Sequence, residues 1–528
     1  MGVEMEKRKE IWRRVSEKKM WVFWFGAVLI LTALWFTTLK ACILPVLKPF
    51  SMRLLVLYCV FSLFLLLFCF GLSFYLIKTK KLKIEKLFLV CCLTVGIVYM
   101  FILPPLTAPD EIAHYATAYK WSNVMMHKEA ADEEGHVYMR AEDARASFDH
   151  RNTKENYLTL ADSFFKPCQS AETVIFDYKL VNTGPVPYIP QAVGITLGRL
   201  MNFGWAMTMF LGRLMNLLTF AGCMYWAIKW IPFGKMVLFA AAMLPMTLEL
   251  ISSMSYDTPA LALAILFTAV CFRYSQTADK VGKREVAVLA ILLGLLAPCK
   301  TVYILLAGLC LLIPREKFSS KKFYWISAGA VLGTAVLSLL LNNMTAIAGY
   351  IGTGENYISW AGEPGYTLGM LMKNPARFFF LLINTVREYS GFYLTHMIGY
   401  ELGWRNICIG ELAVLAFSFL LFLSCLKTED EMKGMKCGQK VWCIAICLSI
   451  MFLIGMSMLL GWTPASWSFI EGIQGRYFLP ILPLFLLTLR NNKIVLRKNM
   501  DKWIIVLAIC FNALVVQKIV AVSLNTVF

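Results

Sequence analysis

The chain has 528 residues, of which 59% are hydrophobic, 14% aromatic and only 16% charged, with a formal net charge of +18. That composition lies far outside the range of soluble domains and excludes a water-soluble globular protein. Apolar runs long enough to cross a hydrocarbon core of about 30 Å recur from end to end, and without water their backbone must be helical. The expected fold class is therefore all-α, a polytopic membrane protein with about thirteen transmembrane helices and large external loops.

The basic residues cluster at Lys7 to Lys19, Lys78 to Lys86, Arg273 to Arg284, Arg315 to Lys322, Lys427 to Lys440 and Arg490 to Lys502. The positive-inside rule makes these segments cytoplasmic, with the amino terminus inside and the long, more acidic loop after Leu103 outside. They are topology signals with affinity for anionic lipid, not a nucleic-acid surface. Arg213 and Lys518 stay within spans.

In chain order, helices are expected near 20–39, 54–77 and 87–103, so that 1–103 is a block of N-terminal spans. The polar stretch 104–204 reads as an external loop domain, with helices over Asp110 to Met126 and Glu142 to Phe165 and an amphipathic interfacial stretch ending near Phe203. Residues 205–342 form the core spans, near 205–228, 236–251, 258–272 and 323–342. Between them stand two segments too short to span comfortably, Val286 to Ala297 and Thr301 to Ile313, joined by Pro298-Cys299-Lys300. A second external segment, 343–407, includes a helix over Pro375 to His396 lying on or partly in the outer leaflet. C-terminal spans near 408–426, 441–461, 478–489 and 503–521 complete 408–528.

The stretch with the clearest chemistry is Thr107-Ala108-Pro109-Asp110-Glu111-Ile112-Ala113-His114. Thr107 suits a helix cap and Pro109 a first turn, which places Asp110 and Glu111 where unpaired N–H groups favour negative charge. Asp110 and His114, four apart, share a helix face that can take and hold a proton. The alternative is that the acids only cap and charge a surface helix. Asp257, ahead of Pro259, reads as a helix cap with catalysis as the secondary role. Glu249 lies at membrane depth, where an unpaired carboxylate is costly, and is expected to face a wet cavity. Lys300, at the tip of the short hairpin, either meets an anion in such a cavity or snorkels to the interface.

Arg476 stands in Gly472-Ile473-Gln474-Gly475-Arg476-Tyr477, where glycines permit close approach to the backbone. With Gln474 and Tyr477 it forms a candidate phosphate-binding group, because a fixed guanidinium matches phosphate oxygens. The alternative is an interfacial Arg-Tyr anchor. Trp404, closing Gly399 to Trp404, is a further secondary candidate. The 16 cysteines sit mostly inside apolar runs and imply no disulfide framework. The five histidines have no metal-ligand spacing, and no cofactor motif is present.

Taken together, Pro109-Asp110-Glu111-x-x-His114, Tyr188-x-Pro190-Gln191, Ser255-x-Asp257, Lys300 with Tyr303, Gly399 to Trp404, and Gly472-x-Gln474-Gly475-Arg476-Tyr477-Phe478-x-Pro480 resemble the bacterial membrane family known as domain of unknown function 2142. The match runs from about residue 90 to 485 and departs from the family's pattern at Arg405, where relatives often carry Asp. That family in turn looks like the C-type (GT-C) fold of membrane glycosyltransferases. The resemblance implies an acid of the first external loop as catalytic base, a polyprenyl-phosphate-linked sugar as donor, a cell-envelope glycan, lipid or protein as acceptor, and inversion at the anomeric carbon. It places the protein in the bacterial cytoplasmic membrane with its site on the outer face. On chemical grounds Asp110 is the favoured base, and Glu111, pointing about 100° away, holds the loop or an acceptor hydroxyl. The rival readings are a transporter or flippase of lipid-linked saccharides and a polysaccharide polymerase or ligase.

Overall fold

A computed structural model of the protein describes residues 52–79, 82–144, 151–351, 356–428, 434–490, 494–496 and 499–525, with isolated positions 26, 29, 32, 33, 40 and 432. The helix expected near 20–39 falls almost wholly outside the described residues. The described chain is mostly helical, with a few two- to four-residue strands.

Helices α1 (Met52–Lys78) and α2 (Ile84–Ile102) are long apolar runs without a Pro to interrupt them. α2 stops at Leu103, whose extended backbone is what a residue before Pro104 adopts. The polar region opens with α3 (Glu111–Met125), close to the range read from sequence. An unforeseen hairpin follows, in which β1 (Val137–Arg140) pairs antiparallel with a later strand. The single helix expected over Glu142 to Phe165 is broken. A turn at Ala141–Ala144 is followed by α4 (Lys154–Ser163), which starts afresh because the Thr153 side chain accepts the Asn156 N–H. β2 (Thr173–Phe176) closes the hairpin. α5 (Ile189–Leu200) then packs against α6 (Trp205–Trp230); a Cβ on Gly194 would lie 2.2 Å from the Leu211 carbonyl oxygen, so this closeness requires glycine. Residues of this region, among them Leu106, Tyr115, Tyr119, Tyr188 and Ile195, bury a core of their own.

The helix expected over 236–251 is two pieces, α7 (Lys235–Ala242) and α8 (Pro245–Ile251). Pro245 forces Leu244 into extended backbone (ψ 144°), which interrupts the helix. α9 (Asp257–Gln276) is almost entirely buried and lies at the centre of the bundle. The short hairpin is present as α10 (Lys283–Cys299) and a 3₁₀ segment, Thr301–Leu312. At about 1.5 Å per α residue and 2.0 Å per 3₁₀ residue, the two limbs reach about 26 and 24 Å, so tighter winding compensates for the shorter return limb. α11 (Lys321–Ile351) bends at Asn343, whose amide oxygen accepts the Gly184 N–H and whose amide NH₂ donates to the Pro298 carbonyl.

α12 (Pro375–Ile398), capped by Asn374, carries the charges noted in its sequence. α13 (Glu411–Cys425), α14 (Cys437–Gly461), a 3₁₀ turn at Gly475–Phe478, α15 (Leu482–Leu489) and α16 (Asp501–Asn525) follow. Among the described residues seven helices are long and apolar enough to cross a membrane: α1, α2, α6, α9, α11, α14 and α16. The expectation of about thirteen includes the 20–39 segment, which lies outside the described residues, and otherwise exceeds this for local reasons. The 236–251 run is broken by Pro245, α15 has only 8 residues, α13 has 15, and both limbs of the 283–312 hairpin fall short of a full span.

Candidate active site

The loop before α3 turns sharply, and two residues in it, Leu106 (φ 70°) and Asp110 (φ 59°), occupy the left-handed region. Glu111 holds that shape. Its carboxylate accepts the N–H groups of Leu106 (2.8 Å) and Met254 (2.9 Å) and receives two hydrogen bonds from Arg213, at 2.7 and 2.6 Å. Arg213 donates its remaining hydrogens to the carbonyls of Met100, Leu103 and Pro104 at the exit of α2. Both side chains are 1% exposed. This pair therefore ties α2, α3, α6 and the 252–256 turn into one rigid corner. The Asn216 and Gln191 amides complete it by donating to the carbonyls of that turn.

The corner presents Asp110. In left-handed conformation at the start of α3, its side chain makes no cap bond and turns away from the helix; Thr107 likewise does not cap but donates to the Pro104 carbonyl. The cap expected of Thr107, and capping by Asp110 as the alternative reading had it, are absent for that geometric reason. Instead the Asp110 carboxylate accepts a 2.9 Å hydrogen bond from Arg476, 366 positions away. Arg476 lies 3.6 Å from Asp257, which accepts a 2.6 Å bond from Lys300. Asp257 is thus no cap, and Lys300 neither snorkels nor waits unpaired: Asp257 is the first residue of α9, and its carboxylate serves the two cations. The result is a row of four alternating charges, Asp110, Arg476, Asp257 and Lys300. Side-chain exposure along it falls from 52% at Asp110 to 4% at Arg476 and 9% at Asp257, then rises to 19% at Lys300. The Arg476 Nε is buried without a hydrogen-bond acceptor.

Aromatic rings enclose the row. The Lys300 ammonium lies 3.9 Å from the centre of the Tyr477 ring and 5.3 Å from that of Tyr256. Tyr256 stacks on Tyr188, whose hydroxyl meets the His114 Nδ1 at 2.7 Å. His114 is buried, and burial pushes its pKa down to about 4, so at neutral pH it is an uncharged ring placed beside the acids rather than bonded to them. The 3₁₀ turn that carries Arg476 is pinned by the Gly475 N–H donating to the His396 Nδ1 (3.1 Å) and by Tyr303 donating to the Tyr477 carbonyl. Gln474 precedes that turn, half-buried, with its carbonyl accepting the Tyr477 N–H. Glu249 does not face a wet cavity. It is 1% exposed and accepts the Gly403 N–H at 2.7 Å, so it anchors the turn containing Trp404, itself partly exposed. Arg405, where the family pattern differs, pairs with Glu401 and covers the Phe392 ring.

The structure therefore brings Asp110, Asp257, Lys300, Arg476 and Tyr477 together, sets His114 beside them, and places Glu111 and Glu249 behind them as supports. The sequence did not single out Arg213, Tyr188, Tyr256 or His396 for these roles. For Arg213 the signal was present, since an arginine in an apolar helix must have a partner at that depth. Next to the corner, Phe101 and Ile102 at the end of α2 form one wall of an apolar cleft of about 820 Å³, lined also by Phe61, Leu160, Phe164 and Val520. Among the described residues no group of three metal-ligating side chains is arranged to hold an ion.

Compared with known proteins, residues 92–485 match the family described as predicted membrane protein (DUF2142). No curated protein matches the chain, and no solved structure does.

Proposed function

The chain belongs to the DUF2142 family of membrane proteins, and from that premise we propose that it is a GT-C-type glycosyltransferase that moves a sugar from a polyprenyl-phosphate donor to a cell-envelope acceptor. The acceptor hydroxyl attacks the anomeric carbon while Asp110 takes its proton. The bond from that carbon to the phosphate oxygen breaks, inverting the centre, and the lipid phosphate leaves with its negative charge facing Arg476 and Lys300. The reading rests on one observation above all: a half-exposed carboxylate lies next to a buried guanidinium whose Nε still lacks an acceptor. A base needs access to substrate, and a leaving phosphate needs pre-placed donors. The apolar cleft beside the loop has the character a lipid-linked donor requires.

The test is release of lipid phosphate by purified protein given a panel of undecaprenyl-phosphate sugars. Asp110→Asn should lower turnover by roughly 10² to 10⁴ with donor affinity retained. Arg476→Ala should weaken donor binding as well as turnover. Normal transfer by both variants would sink the assignment. The break between α7 and α8 adds a second interrupted helix to the 283–312 hairpin and is the observation that favours a transporter of lipid-linked saccharides. Movement of labelled lipid across proteoliposome bilayers without sugar transfer would establish that reading instead.

A further inference from the structure

A line of aromatic rings leads to Arg476 from the second external segment, and nothing in the row of charges uses it. It begins at Trp360 and Trp462, 45% and 46% exposed, whose rings stack at 5.8 Å with an interplanar angle of 27°. Trp360 then meets Trp467 at 5.7 Å, Trp467 meets Phe469 at 5.1 Å, and Phe469 meets Tyr389 at 5.1 Å. Tyr389 stacks on Tyr393 at 6.1 Å, as residues four apart on a helix do. Tyr393 reaches Phe478, in the same 3₁₀ turn as Arg476, at 6.0 Å. The backbone at Tyr393 and Met397 abuts Gly475 so closely that a Cβ there would lie 2.4 Å from each.

We infer that this line is the binding track for the acceptor saccharide, a neutral or N-acetylated oligosaccharide that lies along the rings with its end at Asp110; this rests on the glycosyltransferase reading for the role of the bound sugar. The chemistry is that of ring faces. A pyranose presents C–H bonds on one side, and these carry partial positive charge that suits the negative face of an aromatic ring. Successive rings lie 5.1 to 6.1 Å apart, a spacing comparable with the width of one sugar ring. Sugar hydroxyls need polar partners at the margins, and the track has them. Arg387 and Glu388 are exposed beside Tyr389, and Glu471 lies within electrostatic range of Tyr389 and Tyr393. Exposed tryptophans and tyrosines also mark membrane interfaces, where they sit at the headgroup level. Two features speak for sugar over lipid here: the rings run inward to the turn holding Arg476 instead of spreading along one level, and their flanking charges would be costly against hydrocarbon.

The experiment uses the full chain in phospholipid nanodiscs, with an array of glucose, galactose, rhamnose and N-acetylglucosamine oligomers as probes. Wild-type protein should bind a subset of them and show tryptophan protection from aqueous acrylamide on binding. Trp360→Leu, which keeps apolar contact but removes the flat ring, and Tyr389→Ala should each weaken binding roughly two- to tenfold, the worth of one ring contact. Neither should change donor affinity. Absence of binding to every oligomer, or equal binding by the variants, overturns the inference. So does quenching by brominated phospholipid that disappears in Trp360→Leu, since the ring would then face lipid. Sugar binding that the variants weaken, in a protein that transfers no sugar, leaves the track standing and removes only the glycosyltransferase reading.

Discussion

Changing Glu111 to Gln separates support from chemistry at the two neighbouring acids. Glu111 receives two bonds from Arg213 and two slightly longer ones from the Leu106 and Met254 N–H groups, all inside a corner where both side chains are 1% exposed. A glutamine has the same shape but only one acceptor oxygen, and its NH₂ would face donors. It would leave the Arg213 charge buried without a carboxylate, a loss of about 3–5 kcal/mol. Asp110→Asn differs in kind. Its carboxylate is 52% exposed and makes one bond, to Arg476, so stability should change by no more than about 1 kcal/mol. Thermal unfolding of purified protein in detergent, read beside transfer rate, gives the comparison. Glu111→Gln should lower the apparent Tm by several degrees and lose transfer along with folded protein. Asp110→Asn should keep its Tm and lose transfer alone. The reasoning fails if Glu111→Gln is as stable as wild type yet catalytically dead, because Glu111 would then act on substrate.

Three further outcomes follow from the same geometry. Lys300→Ala removes the 2.6 Å partner of Asp257, which should draw Arg476 away from Asp110; transfer should fall about 10²- to 10³-fold, read as kcat and donor KM, with Lys300→Arg recovering part of it. His114 has an ordinary pKa of 6.5, lowered by burial to about 4, so between these values the unfolded chain binds a proton that the folded chain refuses. Stability contributed by the neutral ring should be complete above pH 6.5 and lost as pH falls toward 4, a difference of roughly 3 kcal/mol; unfolding titrations should show this slope reduced in His114→Gln. Gly475→Ala would place a Cβ 2.4 Å from backbone atoms of Tyr393 and Met397. It should cost about 1–3 kcal/mol and shift Arg476, which a rise in donor KM would report.

Much of the site was readable because its residues cannot be explained by burial alone. Asp110, Lys300 and Arg476 are charges in or beside apolar sequence, and each proves to have a specific partner. The helices were readable where apolar length is uninterrupted, as in α2 and α14, and not where one residue decides. Pro245 divides an otherwise uniform apolar run, and Thr153 restarts a helix that composition would have joined. The hairpin of β1 and β2 escaped because four-residue strands leave too little alternation to be seen. Asp257 was read chiefly as a cap because Asp before Thr-Pro is what a helix cap looks like, and the difference lies in Lys300, 43 positions away.

For the proposed reaction, Asp110 was the base favoured from the sequence, and the structure adds a separate physical reason for that choice. Asp110, Glu111, Glu249 and Asp257 all come from segments that meet here. What separates them is what each already holds. Glu111 is saturated by Arg213 and backbone N–H groups, Glu249 is sealed at 1% exposure against the Gly403 turn, and Asp257 is committed to two cations. Glu111 and Asp257 cannot turn to an acceptor hydroxyl without giving up charged partners, and Glu249 is too buried to meet one. A base in turnover must reach the acceptor hydroxyl and then return its proton to water. Asp110 has one charged partner, which the departing phosphate can claim, and about half its side-chain surface open. In the proposed transfer the proton would arrive at Asp110 as Arg476 turns to the phosphate, so that the charge leaving one end of the row is matched by charge developing at the other.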